Sequence, residues 1–411
     1  MSAPRRAKTS NRYYDEFRSV IQSQLCNIES YRFCYIDATD PSINAIIHMR
    51  ESATAADRKT LLHQLEYAFT DIDNTSFTVT KDAESFMALA ALETGKRSAS
   101  EITNDTGSWA YGGHTFRSHG DAGLGPVDMV RSIVLSSNVY YYSLANTMGV
   151  DAIHDFMKPL GFGQVTGIDL PGELKGVLPS TQWKKNAYKK PEQQRWYGGE
   201  TISLGIGQGY NTFTMLQLAG ATATLANGGQ QNTPRLVVAT QDPIQRVDRP
   251  LETGQSINLG YKSEHVAVIR QGLVGVAKEG TAARVFAGTP YQSAGKTGTA
   301  QAVTIGQKDK YNASKLEEHQ RDHALYMAFA PAENPQIALA IVVENAGFGA
   351  AQAAPIARRV FDYWLLGEYP SVEDIEASQK GLAVTPVGTK RRKEDVQLIS
   401  SEGVATPMGK R

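Results

Sequence analysis

Residues 293–301 read SAGKTGTAQ and place a lysine among small residues and two glycines, in a stretch with strand-like character. Gly-Lys-Thr also ends the phosphate-binding loop signature G-x-x-x-x-G-K-[ST], but the first glycine of that signature would fall on Pro290. A phosphate-binding loop is therefore excluded. The remaining interpretation is the Lys-Thr-Gly element of serine acyltransferases, which works with Ser-x-x-Lys and a Ser-x-Asn type of triplet. Since three-residue matches also arise by chance, this interpretation has to find its two partner motifs upstream.

The composition excludes several classes of function. The 411 residues contain 42 lysines and arginines and 42 aspartates and glutamates, a balance that does not favour a nucleic-acid partner. Two cysteines, Cys26 and Cys34, allow neither a disulfide framework nor a four-cysteine metal site, and no cofactor is indicated. No apolar stretch follows the basic start and no run long enough to span a membrane occurs. We therefore expect neither an export signal nor a membrane anchor, and a cytoplasmic location.

Periodicity divides the chain into three parts. Residues 1–82 contain a small α/β unit with two helical and three strand-like patterns. Residues 83–370 begin with an apolar helix at FMALAALETG and continue with helical patterns on both sides of a polar Ser-Ser-Asn. The strand-like runs ALYMAFAPA and QIALAIVVEN and a further helix follow the quoted lysine segment. Residues 371–411 are polar, which predicts a disordered tail.

The second motif is Ser136-Ser137-Asn138, which lies upstream of Lys296 in the expected order. With both motifs in place, the sequence resembles the transpeptidase domain of class B penicillin-binding proteins, most closely the branch of Gram-negative bacteria that acts in cell elongation. The blocks that carry the likeness, over about residues 86–370, are FMALAALETGKR, VDMVRSIVLSSNVYYYSLANTMGV, GFGQVTGIDLPGE, GGETISLGIGQGYNTFTMLQLA, AGKTGTAQ and RDHALYMAFAPAENPQIALAIVVENAGFG.

The resemblance implies a fold and an activity. The fold would be the α/β serine penicillin-recognising fold, in which helices flank an antiparallel sheet and an all-helical subdomain completes the cleft. The activity would be that of a D,D-transpeptidase, which cross-links peptidoglycan stem peptides and is acylated by β-lactams. Members of the family are anchored in the inner membrane with a periplasmic domain and work with proteins of cell elongation.

The resemblance also assigns roles to the residues of the strand motif. Lys296 would supply positive charge, Thr297 a hydroxyl for the substrate carboxylate, and Gly298 room for a backbone to pass closely. The backbone N–H of Thr299 would form half of the oxyanion hole. In the other motif, Ser136 would relay protons and Asn138 would hold the substrate amide.

The sequence departs from the family at the nucleophile. Counting back from Phe86 places Lys81 where the family has its serine and Glu84 where it has the activating lysine. Neither can substitute, because an ammonium has no hydroxyl to acylate and a carboxylate reverses the charge. Thr78 in TVTK is out of place, and Ser85 fits a serine at a helix N-terminus. We therefore predict little or no acyl transfer and no covalent labelling by penicillin.

Two interpretations follow from the missing nucleophile. In the first, residues 1–82 are an unrelated segment joined to a transpeptidase domain that is truncated just after its nucleophile. Within that segment, FCYIDATDPSINAIIHM has hairpin character at the place where the resemblance would put the first two strands of the family's sheet. In the alternative, the chain is a non-catalytic binding module whose N-terminal unit has an interaction of its own. Under either interpretation Ser136 and Lys296 should face one another across a cleft, with Glu84 or Lys81 in the space of the missing groups.

A metal site is not expected. Some members of this branch bind zinc near the Ser-x-Asn loop through Asp, His and Cys ligands, but Leu124 aligns with their histidine. His114, His119 and Asp121 form a possible trio, which fits solvated loop residues better than a zinc site.

Overall fold

The structure is a computed structural model. It describes residues 31–37, 81–118, 122–169, 172–235, 239–241, 248–250, 256–300, 316–317, 320–379 and 383–392.

These residues form strands and helices that are numbered here in chain order. The strands are β1 Tyr31–Asp37, β2 Thr103–Asp105, β3 Ser108–Tyr111, β4 His114–Arg117, β5 Gly125–Val127, β6 Gln230–Asn232, β7 Ala239–Gln241, β8 Asp248–Pro250, β9 Ser256–Asn258, β10 Ala294–Ala300, β11 His323–Ala330, β12 Ile337–Val343, β13 Glu368–Tyr369 and β14 Arg391–Arg392. The helices are α1 Glu84–Glu93, α2 Met129–Leu135, α3 Asn138–Met148, α4 Val150–Met157, α5 Thr181–Ala187, α6 Pro191–Gln194, α7 Gly198–Leu204, α8 Met215–Ala226, α9 Ser263–Lys278, α10 Ala283–Phe286, α11 Gly349–Leu366 and α12 Val372–Gln379. Short 3₁₀ helices cover Lys81–Ala83 and Lys158–Leu160.

The main sheet has four antiparallel strands in the order β1-β12-β11-β10. Strands β11 and β12 are almost continuously apolar and buried, which is the pattern of strands that are covered on both faces. On one face α11 and α10 pack through Phe361 and Phe286, and Phe286 stacks on Tyr326 of β11. On the other face α8 packs against β12, with Thr222 touching Met327, and α9 packs against β10. The predicted antiparallel sheet between helical layers is confirmed.

Helix α1 lies inside the molecule and not on its surface. Each residue from Glu84 to Leu92 is buried, because α9, α3 and α4 pack around this helix. The helix ends at Glu93, and Gly95, which follows the cap residue Thr94, has a φ of 67° in the left-handed region that glycine adopts without strain. The other end, with the 3₁₀ turn Lys81–Ala83, contacts β10. The sequence FMALAAL is apolar on every side for this reason.

Along the chain, the helical part of the fold lies between α1 and the strands β10, β11 and β12 of the main sheet. Helices α2 to α8 follow one another from residue 129 to residue 226, and no strand interrupts the described residues of that stretch. Gly272 and Gly275 of α9 lie against Ile133 and Val134 of α2, so the missing side chains allow a close approach of these two helices. This arrangement agrees with the predicted all-helical subdomain.

Among the described residues, no helix has the length and apolar character needed to cross a membrane.

The structure differs from the expected boundary at residue 82. All seven residues of β1 pair with β12, and the 3₁₀ turn Lys81–Ala83 leads directly into α1. Residues 31–37 and 81–83 therefore belong to the same fold as the residues that follow. Strand pairing is a long-range contact that a local pattern cannot show, which explains the difference. The other predicted elements of the first 80 residues, including the one that carries Thr78, lie outside the described residues.

The expected disordered tail from residue 371 is wrong for residues 371–379 and 383–392. Residues 372–379 form helix α12, and β14 pairs with β13. Arg359 of α11 forms two hydrogen bonds to Asp374, of 2.7 and 2.8 Å, and both side chains are buried. The backbone N–H of Val387 donates to the same carboxylate. Charged residues that look solvated in the sequence thus attach this segment to α11. Residues 393–411 lie outside the described residues.

Candidate active site

The Ser-Ser-Asn motif forms the turn between α2 and α3. Ser136 ends α2 in the left-handed conformation, with φ 57° and ψ 54°, which few residues other than glycine adopt. Ser137 begins α3 as its N-cap, and its hydroxyl accepts the backbone N–H of Tyr140 at 3.3 Å. Because the chain reverses at Ser136, the side chain of this residue leaves the helix pair and points toward β10.

A buried carboxylate fixes this turn. Ser137 Oγ donates to Asp105 Oδ2 at 2.5 Å, and the backbone N–H of Gly107 donates to Asp105 Oδ1 at 2.8 Å. Asp105 is only 1% exposed and ends β2. The bond ties the turn to the small β2–β5 sheet. Sequence reasoning did not identify Asp105, because nothing in its local sequence marks it as a partner of Ser137.

The side chains of the motif residues in β10 point alternately to the two faces of the strand. Lys296 and Gly298 point to the face that carries α1, as expected for residues two apart in a strand. Thr297 lies between them, and its hydroxyl is 2.7 Å from that of Thr281. Lys296, Thr297 and Gly298 are buried, whereas Thr299 is half-buried and Thr281 is exposed. Gly298 thus contacts the turn that leads into α1, whereas Thr297 contacts the segment that follows α9.

The side chains of Lys296, Ser136 and Glu84 form a closed cluster. Lys296 Nζ donates to Ser136 Oγ at 2.8 Å and lies 3.0 Å from Glu84 Oε2. Ser136 Oγ in turn is 3.3 Å from Glu84 Oε2. The prediction that Ser136 and Lys296 face each other is confirmed, and Glu84 occupies the space beside them and pairs with the lysine. Lys296 and Glu84 are both fully buried, so this ion pair is shielded from water.

A second carboxyl group, that of Asp82, lies next to this cluster. It is fully buried, and neither of its oxygens has a hydrogen-bond partner in the described part of the chain. Burial raises the pKa of Asp82 to about 8, Lys296 opposes this shift, and Glu84 adds to it. Asp82 is therefore mostly protonated at neutral pH. A Cβ atom at Gly298 would lie 2.2 Å from Asp82 Oδ2, so only glycine fits at this point of β10.

Asn138 faces the cleft from the first turn of α3. Its side chain is 6% exposed, and its Nδ2 atom lies 3.5 Å from the hydroxyl of Tyr142. Tyr142 in turn donates to the backbone carbonyl of Arg117 at 3.2 Å. The Oδ1 atom of Asn138 has no partner among the described residues. It is therefore a buried acceptor that a ligand N–H could satisfy.

The structure describes the residues at the start of α1, where the resemblance would place the nucleophile. Lys81 begins the 3₁₀ turn before α1. Ser85 lies in the first turn of α1 and does not cap the helix, because the N-cap position is taken by Ala83. The hydroxyl of Ser85 is buried and has no partner in the described part of the structure. Thr78 lies outside the described residues. Among the described residues, the 3₁₀ turn and the first turn of α1 thus bring the carboxyl groups of Asp82 and Glu84 next to Lys296.

The possible metal trio can be examined only in part. His114 lies in β4, is exposed, and packs its ring edge-on against Phe116 with the centroids 4.6 Å apart. His119 and Asp121 lie outside the described residues. Among the residues that are described, no three His, Cys, Asp or Glu side chains are grouped to hold a metal ion.

The chain is similar to known transpeptidases in sequence. Peptidoglycan D,D-transpeptidase MrdA of Haemophilus influenzae is 38% identical over 293 residues, which are 70% of this chain and 44% of that protein. The MrdA protein of Acinetobacter baumannii is 43% identical over 254 residues, 62% of this chain and 37% of that protein. The chain therefore spans less than half the length of these curated relatives.

The fold is shared with solved structures of the same group. Pseudomonas aeruginosa PBP2 in complex with WCK 5153 superimposes with a TM-score of 0.68 and 29% identity, over 85% of this chain and 77% of that one. The sequence profile of the penicillin binding protein transpeptidase domain matches residues 85–362. This range contains the Ser-Ser-Asn turn, strand β10 and both helical layers. The chain therefore belongs to the penicillin-binding protein transpeptidase family.

Proposed function

We propose that this chain is a peptidoglycan D,D-transpeptidase domain that binds stem peptides and β-lactams in the cleft beside Ser136 and Lys296 but is impaired in acyl transfer. The single observation that carries the proposal is the closed Lys296–Glu84 ion pair next to Ser136. It fills the position from which the family activates its serine. The same helix start provides Lys81, which has no hydroxyl, where the serine would be.

The cleft keeps the groups that would align and polarise a substrate. Ser136 could pass a proton between Lys296 and a ligand nitrogen, since its hydroxyl already bonds to the ammonium. The N–H of Thr299 would donate to a developing oxyanion, and Asn138 would hold a ligand amide. What is missing is the group that forms the covalent bond. Loss of the nucleophile costs on the order of 10⁴ to 10⁶ in rate in serine hydrolases.

Two observations bear on the wider role. The relatives named MrdA are peptidoglycan D,D-transpeptidases, and we extend from their family the expectation that partners come from the cell-elongation machinery. The fold is shared with Helicobacter pylori PBP2, which was solved as a complex with MreC. The alternative, a binding module with an independent N-terminal unit, fits less well, because β1 is part of the main sheet.

Labelling with a fluorescent penicillin tests the proposal. We expect the purified chain to remain unlabelled. The double variant Lys81→Ser with Glu84→Lys restores the Ser-x-x-Lys spacing ahead of Phe86, and we expect it to form a covalent adduct at the introduced hydroxyl. The two single variants are the matched controls, since each supplies only one member of the pair, and both should stay unlabelled.

Two results would contradict the proposal. Stoichiometric labelling of the native chain, mapped to any residue from 76 to 85, would identify a nucleophile that the sequence comparison missed. A double variant that is folded, as judged by its unfolding transition, yet takes no label would show that the start of α1 does not have the placement that acylation needs.

A further inference from the structure

The ammonium group of Lys296 has no hydrogen-bond donor left for a ligand. A lysine has three N–H donors, and here they meet Ser136 Oγ at 2.8 Å, Glu84 Oε2 at 3.0 Å and the carbonyl of Thr297 at 3.3 Å. Lys296 and Glu84 are both 0% exposed. A ligand carboxylate that entered the cleft would meet a saturated, neutralised cation. This differs from the role that the family resemblance gives to Lys296, which is to attract the substrate carboxylate.

Among the described residues of the two motifs, together with Thr281, those that are not buried are uncharged. Thr281 is exposed and Thr299 is half-buried, and Ser136 is half-buried although its hydroxyl bonds to Lys296 and Glu84. Asn138 adds an amide oxygen that has no partner among the described residues. Such groups exchange hydrogen bonds with amides and hydroxyls, and they do not offset the desolvation of an anion as a free ammonium would.

We propose, resting on the proposed function above, that Glu84 sets the charge preference of the cleft, so that it takes peptide ligands with an uncharged C-terminus, such as a carboxamide, in preference to a free carboxylate. Glu84 is then a specificity-determining residue. It acts by holding the charge and the donors of Lys296, and it does not need to touch the ligand.

Asp82 adds a pH dependence to this preference. The titratable groups that face Asp82 are Glu84 from α1, Lys296 from β10 and Tyr326 from β11. At neutral pH the cluster is close to neutral, because Lys296 and Glu84 cancel and burial keeps Asp82 mostly protonated. Above its pKa of about 8 Asp82 ionises, and the cluster carries one net negative charge. A carboxylate ligand is then repelled, whereas a carboxamide is unaffected.

Two ligands that differ only in their terminus test the inference. The probes are an N-acetylated peptide ending in D-Ala-D-Ala and the same peptide as its C-terminal carboxamide, with affinities for the native chain measured by calorimetry. We expect the carboxamide to bind about tenfold more tightly at neutral pH. The ratio should rise between pH 6 and pH 9, and Asp82→Asn should abolish that rise.

The variant Glu84→Gln tests the residue itself. It leaves the side-chain shape and releases the charge of Lys296, so the preference should shift toward the carboxylate. The matched control is Glu333→Gln, which removes the same charge from the exposed turn between β11 and β12 and should leave the ratio unchanged. The native pH series gives an answer even if Glu84→Gln does not fold.

The outcomes separate this inference from the proposed function. Tighter binding of the carboxylate to the native chain, or an unchanged ratio in folded Glu84→Gln, overturns the charge preference and leaves stem-peptide binding in place. Failure of both peptides to bind the native chain and the Glu84→Gln variant overturns the proposed function and the inference with it.

Discussion

Two regions meet at Lys296, and they differ in how far they keep the residues of the family. The strand β10 and the Ser-Ser-Asn turn keep every expected residue, and their side chains lie within hydrogen-bond distance, 2.8 Å from Lys296 Nζ to Ser136 Oγ. At the start of α1, where the resemblance would place the reactive pair of the family, this chain has Lys81 and Glu84. We infer that packing of the surrounding core can hold Ser136 and Lys296 together whichever residues stand at the start of α1.

The altered region compensates for its charges locally. Glu84 stands in the first turn of α1, where the partial positive charge of a helix N-terminus favours a carboxylate. It also pairs with Lys296, and Asp82 avoids an unpaired charge by keeping its proton. We therefore expect the stability of β10 and the Ser-Ser-Asn turn to depend on the charged groups at the start of α1, and substitutions can test that dependence.

Removing Lys296 should have the largest effect on stability. In Lys296→Met the carboxylate of Glu84 stays buried without its partner, which costs about 3–5 kcal/mol when one member of a buried pair is removed. The double variant Lys296→Met with Glu84→Gln should recover most of this loss, because no buried charge remains. Urea unfolding of the native chain and the variants measures the difference. Equal stability of Lys296→Met and the native chain would show that the two regions are not coupled through this pair.

The proton on Asp82 should make the folded state less stable as the pH rises. The folded pKa of about 8 lies above the ordinary value of 3.8, so between these values the folded chain holds a proton that the unfolded chain has lost. The free energy of unfolding therefore falls by up to about 1.4 kcal/mol per pH unit over this window. Unfolding in urea from pH 5 to pH 8 measures this slope.

The Asp82→Asn variant is the control for that slope, since an amide has no proton to lose. The difference in unfolding free energy between the two chains should change steadily across the window and level off above pH 8. A constant difference would mean that Asp82 has an ordinary pKa in the folded chain. The proton on Asp82 would then not be what keeps an unpaired charge out of this region.

Gly298 tests the contact between the two regions directly. A methyl group there would lie 2.2 Å from Asp82 Oδ2. We expect Gly298→Ala to lower the free energy of unfolding by about 2 kcal/mol, within the range found for overpacked cores. The same substitution in an Asp82→Ala background should cost much less, because the obstructing carboxyl group is gone. Equal costs in both backgrounds would show that the strand β10 itself requires glycine at position 298, and that the contact with Asp82 does not.

The sequence was a good guide to β10, β11, β12, α2 and α3, because their apolar patterns and the polar Ser-Ser-Asn turn between the helices are local features. It also predicted that Glu84 or Lys81 would lie beside Ser136 and Lys296, since counting back from Phe86 placed both there, and Glu84 does so. It did not show Asp105 or the protonated Asp82. Both depend on burial and on partners from other elements, which local patterns do not record.

The same limit explains the two ends of the fold. Strand β1 is attached to the fold by its pairing with β12. Helix α12 is attached by the hydrogen bond between Arg359 and Asp374. Each contact joins residues far apart in sequence or places charges in the interior. Patterns of periodicity and polarity in the sequence do not record such contacts.

The smallest effect should come from the hydroxyl pair of Thr281 and Thr297, which lies on the unaltered side of the cleft. The two oxygens are 2.7 Å apart, and Thr281 is exposed, so Thr281→Val should cost about 1 kcal/mol, the net value of one hydrogen bond. This bond shares no partner with Asp82. The effects of Thr281→Val and Asp82→Asn should therefore add within about 0.5 kcal/mol. Urea unfolding of both single variants and the double variant measures this. A larger deviation would show that β10 and the start of α1 respond as one unit, and the contrast between the two regions would then no longer describe the cleft.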